Sequence, residues 1–246
     1  MKLQTGPVYG PVKSRRLGRS LGVNLAPGNV KACNFNCVYC QYGWTPTPGA
    51  VAWPSPEAIV AAVDGALAED AALDHITVAG NGEPTLHPSF GRIVDGLAAV
   101  RARRAPRARL AILSNGSTLH RPDVVHGLMQ FDERHMKLDA GDATTLRQMN
   151  ACPVSIGRLI ADLRDLGAIV LQSMFVKDPQ GGANNTTPGA VSAWLDAVRE
   201  IGPDAVHVYS LDRSPAMRSL QKVGREELDA IAAKVAAIGI RIEVFN

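Results

Sequence analysis

HITVAGNGEP, residues 75–84, reads as a strand running into a loop built to approach a ligand. His75 to Ala79 carries the β-branched residues of a short buried strand, and Gly80-Asn81-Gly82 ends it. Glycines let backbone come close to a bound molecule. Glu83 places a carboxylate beside them that can accept a hydrogen bond from an ammonium. The plain alternative is a tight turn closing a strand. Helix signals follow from Ser89, with Ile93, Val94, Leu97 and Val100 on one side. The whole stretch is therefore one strand–loop–helix unit.

The same unit recurs on both sides. Upstream, Ser20–Leu25 is a strand, followed by a cysteine-bearing segment, a Pro/Gly-rich loop over Pro46–Pro56 and a helix capped by Ser55 with Pro56 at its first position. Downstream, strands are expected at Arg109–Leu113, Arg134–Leu138, Ala168–Val176, Ala205–Ser210 and Ile240–Phe245. Helices are expected at Pro122–Gln130, Ile156–Leu166 (stopped by Gly167), Pro188–Ile201 and Arg225–Ala237. Regular alternation implies a parallel sheet with helical crossovers. The expected fold is α/β, a partial TIM-like (β/α)6 barrel whose chemistry gathers at the C-terminal strand ends. Residues 1–19 read as an N-terminal extension and 20–246 as one core domain.

At 246 residues, 46% of them hydrophobic, the chain can bury a substantial core. No charged-then-apolar leader opens it and no apolar run is long enough for a membrane span, so a cytoplasmic protein is expected. Basic clusters occur at Lys13, Arg15, Arg16 and Arg19 and at Arg101 to Arg109, without interleaved aromatics. They leave nucleic acid open as a partner without pointing to it.

Three of the four cysteines fall within eight residues, Cys33-Asn34-Phe35-Asn36-Cys37-Val38-Tyr39-Cys40. Disulfides between such neighbours would staple almost no chain, so reduced, metal-binding thiols are the better reading. Thiolates suit soft metals and iron–sulfur clusters, and three of them leave one metal position open to substrate. A zinc module, or a plain electron-transfer cluster with Cys152 as fourth ligand, are the competing readings.

The C-x₃-C-x₂-C run with Tyr39 before its last cysteine resembles the signature of the radical S-adenosylmethionine superfamily. Within it, SRRLGRSLGVN at 14–24, CNFNCVYCQYG, GEPTLHP, LSNGS, KLDAGD and YSLDR resemble a wyosine-synthase-related group of iron–sulfur oxidoreductases. The resemblance implies a [4Fe–4S] cluster on Cys33, Cys37 and Cys40, S-adenosyl-L-methionine as cofactor, and an electron donor such as flavodoxin or ferredoxin. It implies cofactor contacts from Tyr39 and from Gly80, Asn81, Gly82 and Glu83, where Asn81 replaces the first glycine of the usual motif. Ser114 and Asn115 stand where the group has Thr-Asn-Gly. Lys137 and Asp139 stand in a stretch that many relatives write Ser-Leu-Asp, and the lysine suits a cofactor or substrate acid.

Gln172 is a polar residue in an apolar strand, suited to a ligand contact. Tyr209, Asp212 and Arg213 are substrate-side candidates, while His207 reads equally well as a core histidine. Cys152, where relatives carry Asn-Arg-Pro, is either a hydrogen-atom donor to a product radical or an inert buried thiol. One spare cysteine excludes a second three- or four-cysteine cluster, which speaks against wyosine chemistry. The substrate stays open, small molecule or macromolecule; a glycyl-radical activase is the alternative enzyme reading.

Overall fold

The computed structural model describes residues 1–46, 51–70 and 72–245, so positions 47–50 of the expected Pro46–Pro56 loop lie outside the described residues. Ten strands and seven helices alternate along them. The strands are β1 (Val8–Ser14), β2 (Gly18–Val23), β3 (His75–Val78), β4 (Arg109–Ser114), β5 (Glu133–Lys137), β6 (Val170–Met174), β7 (Val176–Lys177), β8 (Ala205–Tyr209), β9 (Gln221–Lys222) and β10 (Ile242–Phe245). The helices are α1 (Pro56–Glu69), α2 (Phe90–Arg104), α3 (Pro122–Leu128), α4 (Ala143–Asn150), α5 (Ile156–Leu166), α6 (Pro188–Ile201) and α7 (Arg225–Ala236).

The main sheet has the order β1-β2-β3-β4-β5-β6-β8-β10. All its pairings are parallel except β1–β2. The sheet is a curled half-barrel, as the alternation implied. Curling is visible in one contact: the Arg16 guanidinium, in the turn after β1, lies 4.6 Å from the Tyr209 ring centre on β8. Five strand spacings separate β2 from β8, which would put them about 24 Å apart in a flat sheet.

Period-two alternation sorts the side chains. Leu21, Val23, Ile76, Val78, Leu110, Ile112, Met136, Leu171, Val206 and Val208 face outward and share a core with helix residues such as Ile59, Leu97, Leu163, Trp194 and Leu228. Their strand neighbours Ser20, Gly22, Thr77, Leu113, His135, Lys137, Gln172 and Tyr209 face a central cavity.

Three elements depart from the sequence reading. Residues 8–14 do not stand apart from the repeat but add an antiparallel edge strand. Helix α4 was not anticipated, because its threonines are poor helix formers. Asp142 nonetheless caps it, accepting from Thr145 N (2.9 Å) and Thr145 Oγ1 (2.7 Å). The expected strand Ala168–Val176 is interrupted: Ala168 has φ +46° and pairing breaks at Phe175, whose N–H donates to Tyr209 O (2.9 Å).

Candidate active site

The loop after β2 carries the three cysteines and is clamped from two sides. On one side it bridges to the Gly80–Glu83 loop: Ala32 N donates to Asn81 O and Glu83 N to Ala32 O, both at 2.8 Å. Gly82 makes this possible. It has φ +146°, and a Cβ there would sit 1.8 Å from Ala32 O. On the other side, carbonyls at the end of α4 accept from the loop, Asn150 O from Asn36 N (2.8 Å) and Met149 O from Val38 N (3.0 Å). Those carbonyls have no partner inside the helix, so the loop uses acceptors the helix leaves over.

Cys33, Cys37 and Cys40 are free, half-buried and line one cavity of about 710 Å³. Cys33 Sγ accepts from Phe35 N (3.4 Å) and faces Asn115 Nδ2 (3.9 Å); Cys37 Sγ accepts from Asn150 Nδ2 (3.2 Å). Burial, with Glu83 nearby, pushes the Cys33 thiol up to about 12. Burial raises Cys37 as well, and outweighs the cation of Lys137. Thiols in such surroundings stay protonated until a metal displaces the proton.

Among the described residues no three Cys, His, Asp or Glu side chains converge closely enough to hold a single ion. A lone zinc needs its ligands gathered at about 2.0–2.3 Å. A multi-iron cluster takes each cysteine on a different iron, so thiols spread around one cavity wall suit it. Cys152 is not brought to this cavity; its thiol donates to Val154 O at 3.4 Å.

Tyr39, Gly80, Gly82, Glu83, Ser114, Asn115, Lys137 and Gln172 all line the cavity with the cysteines. Asn81 and Asp139 stand behind its wall instead. Asn81 is fully buried, donating to Gln4 O (2.8 Å) and Pro27 O (3.0 Å) and so tying down the N-terminal segment. Glu83 holds two strand ends together. Its Oε1 accepts from Thr85 N (3.1 Å), Thr85 Oγ1 (2.6 Å) and Ser114 Oγ (2.8 Å), and its Oε2 from Asn115 N (2.7 Å). Burial raises its pKa against those four donors. One lone pair of Oε2 is left for a further donor.

Asp139 gathers a second buried group. It accepts from the Tyr39 hydroxyl, from Asn150 Nδ2 (2.8 Å) and from Met174 N (2.8 Å), and Lys137 Nζ is 3.4 Å away. Burial alone would pull the Lys137 ammonium down, but Asp139 overrides it and holds the lysine above its ordinary value. Burial and the same carboxylate drive the Tyr39 phenol well up. Lys137 also lies 4.7 Å over the Tyr39 ring. Just behind the wall, Glu133 accepts from His135 Nε2 (2.8 Å) and pairs with His75 (3.3 Å) and Arg109 (2.6 Å), while His135 Nδ1 meets Gln172 Nε2 (3.2 Å).

The sequence reading missed Asn34, Asn150 and His135. Asn34 Oδ1 accepts from Asn115 Nδ2 (3.0 Å) and its Nδ2 donates to Ser117 Oγ (2.8 Å), fastening the cysteine loop to the end of β4. The asparagine spacing in C-N-x-N-C was the available signal. Asn150 stood two residues from Cys152 and could be recognised only once α4 was seen to end against Cys37.

The radical SAM superfamily domain matches residues 30–176, which include all three cavity cysteines and every motif from Gly80 to Gln172. The UPF0026 protein of Helicobacter pylori is 30% identical over 230 residues, covering 90% of this chain and 71% of that protein. A radical SAM methyltransferase from Sphaerobacter thermophilus shares the fold with a TM-score of 0.68 at 18% identity, covering 92% of this chain. This chain spans only 65% of that methyltransferase. A TYW1 structure with a lysine–pyruvate adduct bound superposes with a TM-score of 0.61 at 14% identity, over 89% of this chain and 73% of that one. No helix among the described residues is long and apolar enough to cross a membrane. The chain belongs to the radical SAM superfamily and is an enzyme of that type.

Proposed function

We propose that this enzyme cleaves S-adenosylmethionine reductively at a [4Fe–4S] cluster held by Cys33, Cys37 and Cys40, and that the resulting radical takes hydrogen from a substrate. The observation that carries this reading is the opening of the three thiols into the same cavity as Gly80, Gly82, Glu83, Ser114 and Asn115. Cys33, Cys37 and Cys40 would hold the cluster, which would supply one electron, received from an external donor such as flavodoxin or ferredoxin, for dividing the cofactor into methionine and a 5′-deoxyadenosyl radical.

The chain's own residues bind, orient and exclude. The N–H groups aimed at Cys33 and Cys37 favour the thiolate charge and tune the potential of whatever those thiolates hold. Glu83 offers its spare Oε2 lone pair to the cofactor's ammonium, and Gly80 and Gly82 let backbone groups approach it. Ser114 and Asn115 are fixed by Glu83 at the end of β4 and present their remaining polar atoms to the cavity. Lys137, kept charged by Asp139, faces an acid group. Tyr39, Phe35 and Val38 are buried around the loop and limit water beside the cysteines.

Anaerobic reconstitution, reduction and addition of S-adenosylmethionine tests the reading. The full chain is expected to release 5′-deoxyadenosine, and Cys37→Ala to lose both iron–sulfur absorbance and product. A fully reduced cluster that yields no 5′-deoxyadenosine would refute it, and zinc without iron in anaerobically prepared protein would replace it with a structural metal site.

A further inference from the structure

Across the open side of the curled sheet, the turn between β1 and β2 reaches the end of β8. Ser14 Oγ accepts from Arg16 N (3.3 Å) and Leu17 N (3.1 Å), which tightens that turn. Leu17 is buried and anchors it. The Tyr9 ring lies so close to Gly22 that a Cβ there would stand 2.1 Å from it. On the outside, Arg15 pairs with Asp212 at 3.1 Å. Arg16 points inward, its guanidinium over the Tyr209 ring, and Lys137 Nζ lies 5.9 Å from the centre of that same ring.

Arg16 Nη1 is buried, yet it has no hydrogen-bond partner among the described residues. A guanidinium cannot shed its charge, so a buried N–H of this kind calls for an acceptor. The cavity offers no unengaged carboxylate of its own. Six cationic side chains line it against two carboxylates, Glu83 and Asp212. Glu83 is engaged by Thr85, Ser114 and Asn115, and Asp212 by Arg15. Asp139 and Glu133, just behind the wall, are engaged by Lys137 and by His75, His135 and Arg109. The proposed cofactors do not fill the gap either. Three thiolates on a doubly positive cluster sum to one negative charge, and S-adenosylmethionine carries one net positive charge. His207 nearby is lowered to about 4, by burial first and then by His135, Arg16 and Arg241, against Glu133.

We infer that Arg16, stacked on Tyr209 and with Lys137 across the ring, forms an oxyanion subsite that binds a carboxylate or phosphate group of the substrate. The inference rests on the proposed radical reading for the word substrate, and it extends that reading to a substrate class. The planar fork of arginine matches both groups, and stacking on an aromatic ring fixes its plane. Arg16 and Tyr209 both lie outside residues 30–176, while Lys137 lies within them.

The test is calorimetric titration of the anaerobically reconstituted full chain, with S-adenosylmethionine bound, at low ionic strength. Inorganic phosphate is used in one arm and acetate in the other, and the arm that responds names the group. Arg16→Gln is expected to raise the Kd at least about ten-fold, and Arg16→Lys, which keeps charge but loses the fork, to fall between. Melting temperatures of both variants near wild type establish that they fold. Equal anion binding by wild type and Arg16→Gln overturns the subsite. So does an equal loss of S-adenosylmethionine affinity, which would assign Arg16 to the cofactor's carboxylate. A wild-type chain that assembles no cluster but binds the anion through Arg16 would overturn the radical reading and leave the subsite standing.

Discussion

Replacing Gly82 by alanine tests whether the cysteine loop owes its position to the Gly80–Glu83 loop. The new methyl group would stand 1.8 Å from Ala32 O and 2.3 Å from Ala32 C, both backbone atoms that no rotamer change can move aside. The residue would also have to keep φ +146°, a conformation costing a non-glycine residue about 1–3 kcal/mol. Moving Ala32 away sacrifices the Ala32 N–Asn81 O and Glu83 N–Ala32 O hydrogen bonds, each about 1 kcal/mol net. The combined penalty is about 3–5 kcal/mol. If it is felt globally, the melting temperature of a chain this size falls by roughly 10 °C. If the loop alone lets go, the melting temperature holds and iron–sulfur absorbance after reconstitution drops instead. Scanning calorimetry and visible absorbance on the same preparation separate the two. Gly157→Ala is the control: it lies within α5, a Cβ there meets nothing within 4 Å, and alanine should stabilise the helix by about 0.5–1 kcal/mol. A Gly82→Ala protein with wild-type melting and full absorbance would refute the reasoning.

Other perturbations reach other parts of the cavity. His207 is held neutral at about 4 against an ordinary 6.5, so its contribution to stability is complete above 6.5 and is lost as pH falls toward 4. Roughly 3 kcal/mol is at stake, with His135 on β5, Glu243 and Phe245 on β10, and Arg16 and Arg241 as its surroundings. Urea unfolding of His207→Gln between pH 7 and 4 should show a shallower decline than wild type, and parallel curves would discard the idea. Asp139→Asn removes the carboxylate facing the half-buried Lys137 while keeping its shape; the unfolding free energy should fall by about 3 kcal/mol. Adding Lys137→Met should recover part of that loss, and a single-variant cost under about 1 kcal/mol would show the pair to be unimportant.

Much of the cavity lining could be read before any coordinates, and the reason is local. A C-x₃-C-x₂-C run offers three soft ligands wherever it sits, and a glycine-flanked Glu83 after a β-branched strand marks a strand-end loop in any parallel sheet. Period-two alternation likewise set Tyr209 on the face opposite Val206 and Val208, because the pleat leaves no other choice. The helix limits at Ser55–Pro56 and Gly167 follow from cap chemistry between near neighbours.

What the sequence could not decide depends on residues far apart along the chain. Asn81 and Asp139 belong to the right motifs, but their side chains lie behind the cavity wall, where Gln4 and Asn150 meet them. Cys152 lies two residues past Asn150, yet it is Asn150 that reaches Cys37, because Ala151 leaves α4 in a left-handed conformation, φ +40°. The edge strand β1 and the inward Arg16 exist only because the half-barrel closes on itself, bringing a turn near residue 16 onto a ring at residue 209. By itself the sequence determined the strand–loop–helix repeat, the three thiols and the strand-end motifs, since each depends on the chemistry of a few adjacent residues. Only the tertiary structure decided which polar groups face the cavity and which charge there goes unanswered, since those follow from how far the sheet curls.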